Sequence, residues 1–231
     1  MRRRAVLLDA LGTLVKLEPP VPRLQRALIE RLGLPVTEAD ARRAIAQEIT
    51  YYRAHLNEGR DQSSLRELRR RCAEVLWSEL PAAGPMDTDA VVEALLASLH
   101  FTAFPDAEPV LRALTEDGLR LVVVSNWDIS LADVLERLDL SRWLDGVVTS
   151  AGVGARKPRP EVFLQALALA EADPGEAVHV GDSLQEDVMG ARGAGIEAVW
   201  LVREGTAESN PPGPEVSTIR TLRELPGLVS R

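Results

Sequence analysis

A chain of 231 residues with 45% hydrophobic content is long enough to bury a real core, as one large domain or two modest ones. Its formal charge of -8 and pI near 5.1 argue against nucleic acid or an anionic membrane as partner, because both bind basic surfaces. A single cysteine, Cys72, excludes an intramolecular disulfide, and no apolar run reaches the ~20 residues that span a bilayer. The apolar run after Arg2 to Arg4 stops at Asp9, too short for a signal-peptide core, so a cytoplasmic location is expected.

That first run, Val6-Leu7-Leu8, ends abruptly in Asp9 and continues as Ala10-Leu11-Gly12-Thr13-Leu14. Continuous hydrophobic runs mark parallel strands buried on both faces, and open α/β sheets bind ligands beyond the carboxyl ends of such strands. Asp9 therefore stands where a strand would deliver a nucleophile. Residues 16–22 are rich in proline and read as a linker. From Arg23 to about Leu99 the periodicity is helical: Leu24, Leu28 and Leu32 share a face, Ile45, Ile49, Tyr52 and Leu56 repeat the spacing, and Thr37 with Asp40 marks a helix start. With no strand signal in roughly eighty residues, this stretch reads as a helical bundle inserted into another domain. An insert leaving directly after the Asp9 strand is expected over the carboxyl ends of the sheet, where it would act as a lid.

Residues 100–108 are irregular, and beyond them helix and strand alternate. Helices are expected at 109–117, 129–138, 161–171 and 185–194, and strands at 119–124, 146–149, 177–180 and 198–202. That alternation is the signature of a doubly wound parallel sheet. Residues 204–214, rich in Pro, Gly and Ser, read as a mobile loop before a weak strand at 216–219 and a short final helix. The expected organisation is an α/β core of residues 1–15 and 101–231 carrying an all-helical domain of residues 16–100.

Several core strands end in polar groups: Asp9, then Ser125-Asn126, then Gly181-Asp182, with Lys157 following a short strand through a loop. Singly, each has a bland reading as a cap, a turn or a solvated charge. Four at one sheet edge are harder to dismiss. Of the chain's 27 basic residues only Lys16 and Lys157 are lysines, so a lysine here asks for a reason.

As a set, Asp9-Ala-Leu-Gly-Thr-Leu, Ser125-Asn126, Lys157-Pro158 and Gly181-Asp182-Ser-Leu-Gln-Glu186-Asp187 resemble the four motifs of the haloacid dehalogenase superfamily of hydrolases. The resemblance implies a Rossmann-like core with a helical cap inserted after the first motif, and a small, phosphorylated substrate. It implies that Asp9 attacks phosphorus to form an aspartyl-phosphate. Mg2+ would be held by Asp9, the backbone carbonyl of Leu11 and Asp182, with Asp187 nearby. Ser125, Asn126 and Lys157 would hold the phosphoryl oxygens, and Thr13 would orient the loop.

Leu11 departs from the pattern. In the family's phosphatases its place is a second aspartate that protonates the leaving group, and leucine transfers no proton. General acid-base help is typically worth about 10² to 10⁴ in rate, so a phosphatase lacking it is expected to be slow on unactivated esters. Related 2-haloacid dehalogenases also lack that acid, and the first motif resembles theirs. The fourth motif is of the metal-binding kind, and Asp182 and Asp187 near Asp9 would repel without a cation. The favoured expectation is a Mg2+-dependent phosphate ester hydrolase; the alternatives are a metal-free 2-haloacid dehalogenase and a ligand-binding or regulatory module with impaired catalysis. Asp128, beside Trp127, either supplies the missing proton transfer or caps the following helix. Trp127, Asp128 and Arg53 are the candidate substrate contacts, and His179 reads as a hydrogen-bonded core residue. Oligomeric state has no signature in the sequence.

Overall fold

A computed structural model describes residues 3–81, 84–203 and 216–229. Contacts divide the chain into two compact units, Met1–Lys16 with Ala103–Arg231, and Leu17–Thr102. In chain order, β1 (Ala5–Leu8) and β2 (Val15–Leu17) precede the helices α1 (Pro20–Leu32), α2 (Glu38–His55), α3 (Gln62–Ser78) and α4 (Thr88–Ser98). Then come β3 (Phe101–Ala103), α5 (Ala107–Glu116), β4 (Arg120–Ser125), α6 (Leu131–Arg137), β5 (Gly146–Thr149), α7 (Ser150–Val153) and α8 (Pro160–Ala170). The chain closes with β6 (Ala177–Gly181), α9 (Gly190–Gly193), β7 (Glu197–Leu201), β8 (Ser217–Ile219) and α10 (Leu225–Val229).

The larger unit is built on a parallel six-stranded sheet of order β5-β4-β1-β6-β7-β8, a doubly wound, Rossmann-like arrangement. β1 is central and buried along its whole length, which explains why Ala5 to Leu8 carries no polar residue. Leu8 pairs with Val123 on one side and Val180 on the other. This register brings Asp9, Ser125 and Gly181 out at the same carboxyl edge. Below that edge, Leu7, Val122, Val124, Phe163, Ala166, Val188 and Trp200 belong to one core cluster, so α8 and the strands share their apolar faces.

The helical unit has its own core, including Leu24, Leu28, Ala41, Ile45, Leu68, Leu76, Val91 and Leu95. Helices α2, α3 and α4 start at side-chain caps: Thr37 accepts the Asp40 amide, Asp61 those of Ser63 and Ser64, and Asp87 that of Ala90. Among the described residues, no helix is long and apolar enough to cross a membrane.

Three local expectations are corrected. Part of the proline-rich stretch is helix, because Pro20 occupies the first turn of α1, where its missing N–H is an orphan anyway. Residues expected to be irregular form β2 and β3, which pair as a two-stranded sheet. Three-residue strands show no alternation, and this pairing joins segments about eighty residues apart, so the local pattern carries no signal for it. The single helix expected over 185–194 is a π-helical turn, Leu184–Met189, followed by α9. The π turn arises where Ser183 accepts the Glu186 amide on its hydroxyl and the Asp187 and Val188 amides on its carbonyl. The loop expected at 204–214 lies outside the described residues.

One carboxyl is buried in the helical unit. Glu48, on α2, is 3% exposed and accepts the Cys72 thiol, and burial pushes its pKa from the ordinary 4.5 up to about 7. A folded-state value above the unfolded one means that stability is full below pH 4.5 and is lost as pH rises through 7. Glu48→Gln is therefore expected to differ little from the parent near pH 4 and to be more stable by about 3 kcal/mol above pH 8, a difference read by urea denaturation at the two pH values.

Candidate active site

Asp9 follows β1 directly, and its amide is tied to the Val180 carbonyl at 2.9 Å, so the sheet ladder itself fixes where the carboxyl emerges. Asp9 as a whole is 5% exposed. The hydrogen bonds of its carboxyl converge on one oxygen, Oδ1, which accepts from the Lys157 ammonium at 2.6 Å and from the Ser125 hydroxyl at 3.1 Å. Lys157 is itself buried and also donates to Asp187 Oδ1 at 2.6 Å. The loop bearing Lys157 is held by Asn126, whose side chain accepts the Lys157 amide at 2.8 Å and donates to the Lys157 carbonyl at 3.1 Å. Asn126 thus acts on the lysine backbone with both ends of its amide.

Asp187 is held from three directions, by Lys157, by His179 Nε2 at 2.9 Å from Oδ1, and by the Ser183 amide at 3.0 Å from Oδ2. His179 is fully buried and its Nδ1 has no hydrogen-bond partner among the described residues. The tautomer with its proton on Nε2, donating to Asp187, leaves only an acceptor unmet. Sequence reading placed His179 in the core as a hydrogen-bonded residue but did not find its partner. The available signal was that His179 lies two residues before the motif running from Gly181 to Asp187.

Close approach dictates the glycines. A Cβ on Gly181 would lie 2.1 Å from Asp187 Cγ, and one on Gly12, whose φ is +88°, would lie 2.1 Å from Asp182 Oδ2. Both positions exclude any side chain, because carboxylates fill the space.

The charges respond to this crowding. Burial pushes Asp9 up, with Asp187 adding to the rise and Lys157 opposing it. Burial also pushes Asp182 up, to about 7, and the neighbouring Asp9 and Asp187 contribute in the same direction. For Asp187 burial works against the charge too, but Lys157 and His179 outweigh it and hold the carboxyl well below the usual range. Lys157 is raised in turn: Asp187 and Asp9 overcome its desolvation. Lys157 bonds two of the three acids, Asp9 and Asp187, and Asp182 adjoins them without that bond. Asp9, Asp182 and Asp187 each offer an oxygen, and the three oxygens lie within 4.8 Å of one another. An all-oxygen, anionic donor set of this size suits a hard divalent cation.

The remaining candidates are placed as follows. Leu11 is 38% exposed, an apolar side chain open to solvent two residues past Asp9. Thr13 is buried, and its hydroxyl has no partner among the described residues. Trp127 is buried in the loop after β4, with its carbonyl accepting the Ala151 amide at 3.2 Å. Asp128 is buried and its Oδ1 accepts the Ser130 amide at 2.7 Å, at the start of α6. Arg53 is exposed on α2 of the helical unit, where Tyr51 and His55 stack at 4.0 Å.

A carboxylate at a central strand end, a lysine bridging it to a second acid, and a third acid adjoining them meet at the carboxyl edge of a doubly wound sheet. A family model for haloacid dehalogenase-like hydrolases matches residues 3–195, and the chain belongs to that family. It is 30% identical over 247 residues to haloacid dehalogenase-like hydrolase domain-containing protein 3 of Xenopus laevis, covering 99% of this chain and 97% of that one. It is 33% identical over 168 residues to ribulose-1,5-bisphosphate 5-phosphatase of Halopiger xanaduensis, covering 66% of this chain and 69% of the relative. Among solved structures, a HAD phosphatase from Thermococcus onnurineus superposes with a TM-score of 0.68 at 28% identity, covering 98% of this chain and 97% of that one. A 2-haloacid dehalogenase from Pseudomonas syringae pv. Tomato DC3000 gives 0.71 at 26% identity, with 99% of both chains covered.

The lysine bridge makes a quantitative demand. Lys157→Met leaves Asp9 and Asp187 buried without their counter-charge and is expected to cost about 3 to 5 kcal/mol in urea denaturation. The same substitution in an Asp9→Asn background is expected to cost less, because one of the two stranded charges is gone.

Proposed function

We propose that this protein is a Mg2+-dependent phosphatase of small phosphorylated compounds, working through an aspartyl-phosphate on Asp9. The observation that carries this reading is the meeting of Asp9, Asp182 and Asp187 beside Lys157 at the carboxyl edge of the sheet. Asp9, the Leu11 carbonyl and Asp182 would hold the metal, with Asp187 adjoining. When bound, the ion supplies neutralising charge to the phosphoryl oxygens. Lys157 and Ser125 both donate to Oδ1 of Asp9, which fixes the orientation of the carboxylate that would attack phosphorus. Lys157 also presents positive charge to the incoming group. Asn126 keeps Lys157 in place. The names of the Halopiger and Thermococcus relatives support phosphate as the group acted on.

Leu11 sets the preference among substrates. Without an acid at that position the leaving group must depart unprotonated, so acyl and aryl phosphates are favoured over sugar phosphates. The same leucine, with the similarity to the Pseudomonas protein, supports a second reading: displacement of halide from a 2-haloacid, a leaving group that needs no proton.

With Mg2+, the protein is expected to release phosphate from acetyl phosphate and p-nitrophenyl phosphate faster than from sugar phosphates, and chelation or Asp9→Asn should abolish release. Unchanged activity in Asp9→Asn overturns the assignment, and chloride release from a 2-haloacid without added metal selects the second reading. Leu11→Asp is expected to raise turnover of an alkyl phosphate by about 10² if the remaining apparatus is intact; absence of any gain in a folded variant would point to a binding or regulatory module instead.

A further inference from the structure

The turn after Asp9 is tied down by a residue that no motif contains. Arg203 lies two residues beyond β7, at the carboxyl side of the sheet, with its side chain 15% exposed. Its guanidinium donates from Nε to the Gly12 carbonyl at 3.2 Å and from Nη2 to the Thr13 carbonyl at 2.7 Å. It also meets Asp106 in a bidentate pair, Nη1 to Oδ2 at 3.1 Å and Nη2 to Oδ1 at 3.0 Å, and lies over the Phe104 ring at 3.7 Å. Asp106 is itself anchored, accepting the Thr221 hydroxyl at 2.6 Å and the Leu222 amide at 2.9 Å on Oδ2. A planar fork with fixed donors can serve a carboxylate and two carbonyls at once, which an ammonium on a flexible stem cannot.

Gly12 is constrained from the other side as well, since any Cβ there would collide with the Asp182 carboxylate. Within the turn, the Ala10 carbonyl accepts the amides of Thr13, Leu14 and Val15, and the Gly12 amide donates to Val15. Thr13 adds no side-chain bond among the described residues, so the tie on its carbonyl is a polar anchor its own hydroxyl does not supply.

We propose that Arg203, locked by Asp106, is a positioning residue for the Asp9 loop: by holding the carbonyls of Gly12 and Thr13 it fixes the backbone from which the Asp9 carboxyl and the Leu11 carbonyl project. Arg203 touches no reacting atom. Its structural effect is independent of the phosphatase reading, and its kinetic effect rests on that reading. A displacement of about 1 Å in such a loop costs on the order of 10²-fold in rate.

The test uses the full chain with Arg203→Met, Arg203→Lys and Asp106→Asn. Amide exchange over residues 10–15 is followed by mass spectrometry together with the melting temperature, and kcat and KM are measured with p-nitrophenyl phosphate and Mg2+. Arg203→Met is expected to speed exchange in that segment by about tenfold or more while β4 and β6 keep their protection. It should lower kcat by about ten- to a hundredfold with KM nearly unchanged. Arg203→Lys should recover part of both effects, and Asp106→Asn should move both in the same direction as Arg203→Met. Unchanged exchange over 10–15 overturns the proposal, as does faster exchange spread evenly over the sheet with a fall in melting temperature. If Arg203→Met fails to fold, Arg203→Lys and Asp106→Asn decide by the same exchange criterion. If the parent protein does not hydrolyse the ester, the phosphatase reading falls and the exchange result alone decides this one.

Discussion

A lysine ammonium buried between two carboxylates is the constraint around which the active-site half of this protein is arranged. Charges removed from water are tolerated only when their mutual attraction and additional hydrogen bonds repay desolvation. Lys157 meets that condition because Asp9 and Asp187 both approach it at 2.6 Å, and because Ser125, His179 and the Ser183 amide take up further valences of the two acids. Each partner arrives on a different element. The parallel register of β4, β1 and β6 brings Ser125, Asp9 and Gly181 to one edge, and the π turn after β6 swings Asp187 back over Gly181. Removing a side chain at Gly181 is what permits the last approach. The position of Asp187 beside this lysine thereby accounts for the glycine at 181 and for the contact with a buried histidine.

One ammonium does not balance three acids. Asp182 is pushed up to about 7 by burial first, and the neighbouring charges of Asp9 and Asp187 add to the rise. A hard cation would offset those charges while leaving the lysine bridge in place, so the electrostatic imbalance and the proposed metal dependence are two aspects of the same arrangement.

The turn from Asp9 to Leu14 is the other shared element. Its geometry is determined by Gly12, wedged against Asp182, and by carbonyls bound to Arg203. Leu11 sits within it with an exposed apolar side chain, two residues past Asp9. The backbone of this turn is thereby specified independently of the Leu11 side chain. Under the proposed phosphatase reading, an apolar group at position 11 suits a leaving group that departs unaided.

The alternation of buried strands and amphipathic helices was legible in the sequence because each rests on local periodicity: Ala5 to Leu8 as a fully buried strand, Gly146 to Thr149 as a short one, and the long helices of residues 20–98 from their apolar spacing and caps. Asp9, Ser125, Asn126, Lys157, Asp182 and Asp187 were legible as candidates because strand ends and motif spacing mark them, and lysine is rare in this chain. Tertiary structure alone decided what these groups do to one another. The pairing of β2 with β3, the use of Asn126 to brace the Lys157 backbone, the contact of His179 with Asp187, and the tie from Arg203 to Gly12 and Thr13 all join residues that no local pattern connects. Periodicity encodes which face of an element is buried, whereas hydrogen bonds and ion pairs across tens to hundreds of residues depend on how the elements pack. That packing turns a row of polar strand ends into a charged site of fixed geometry.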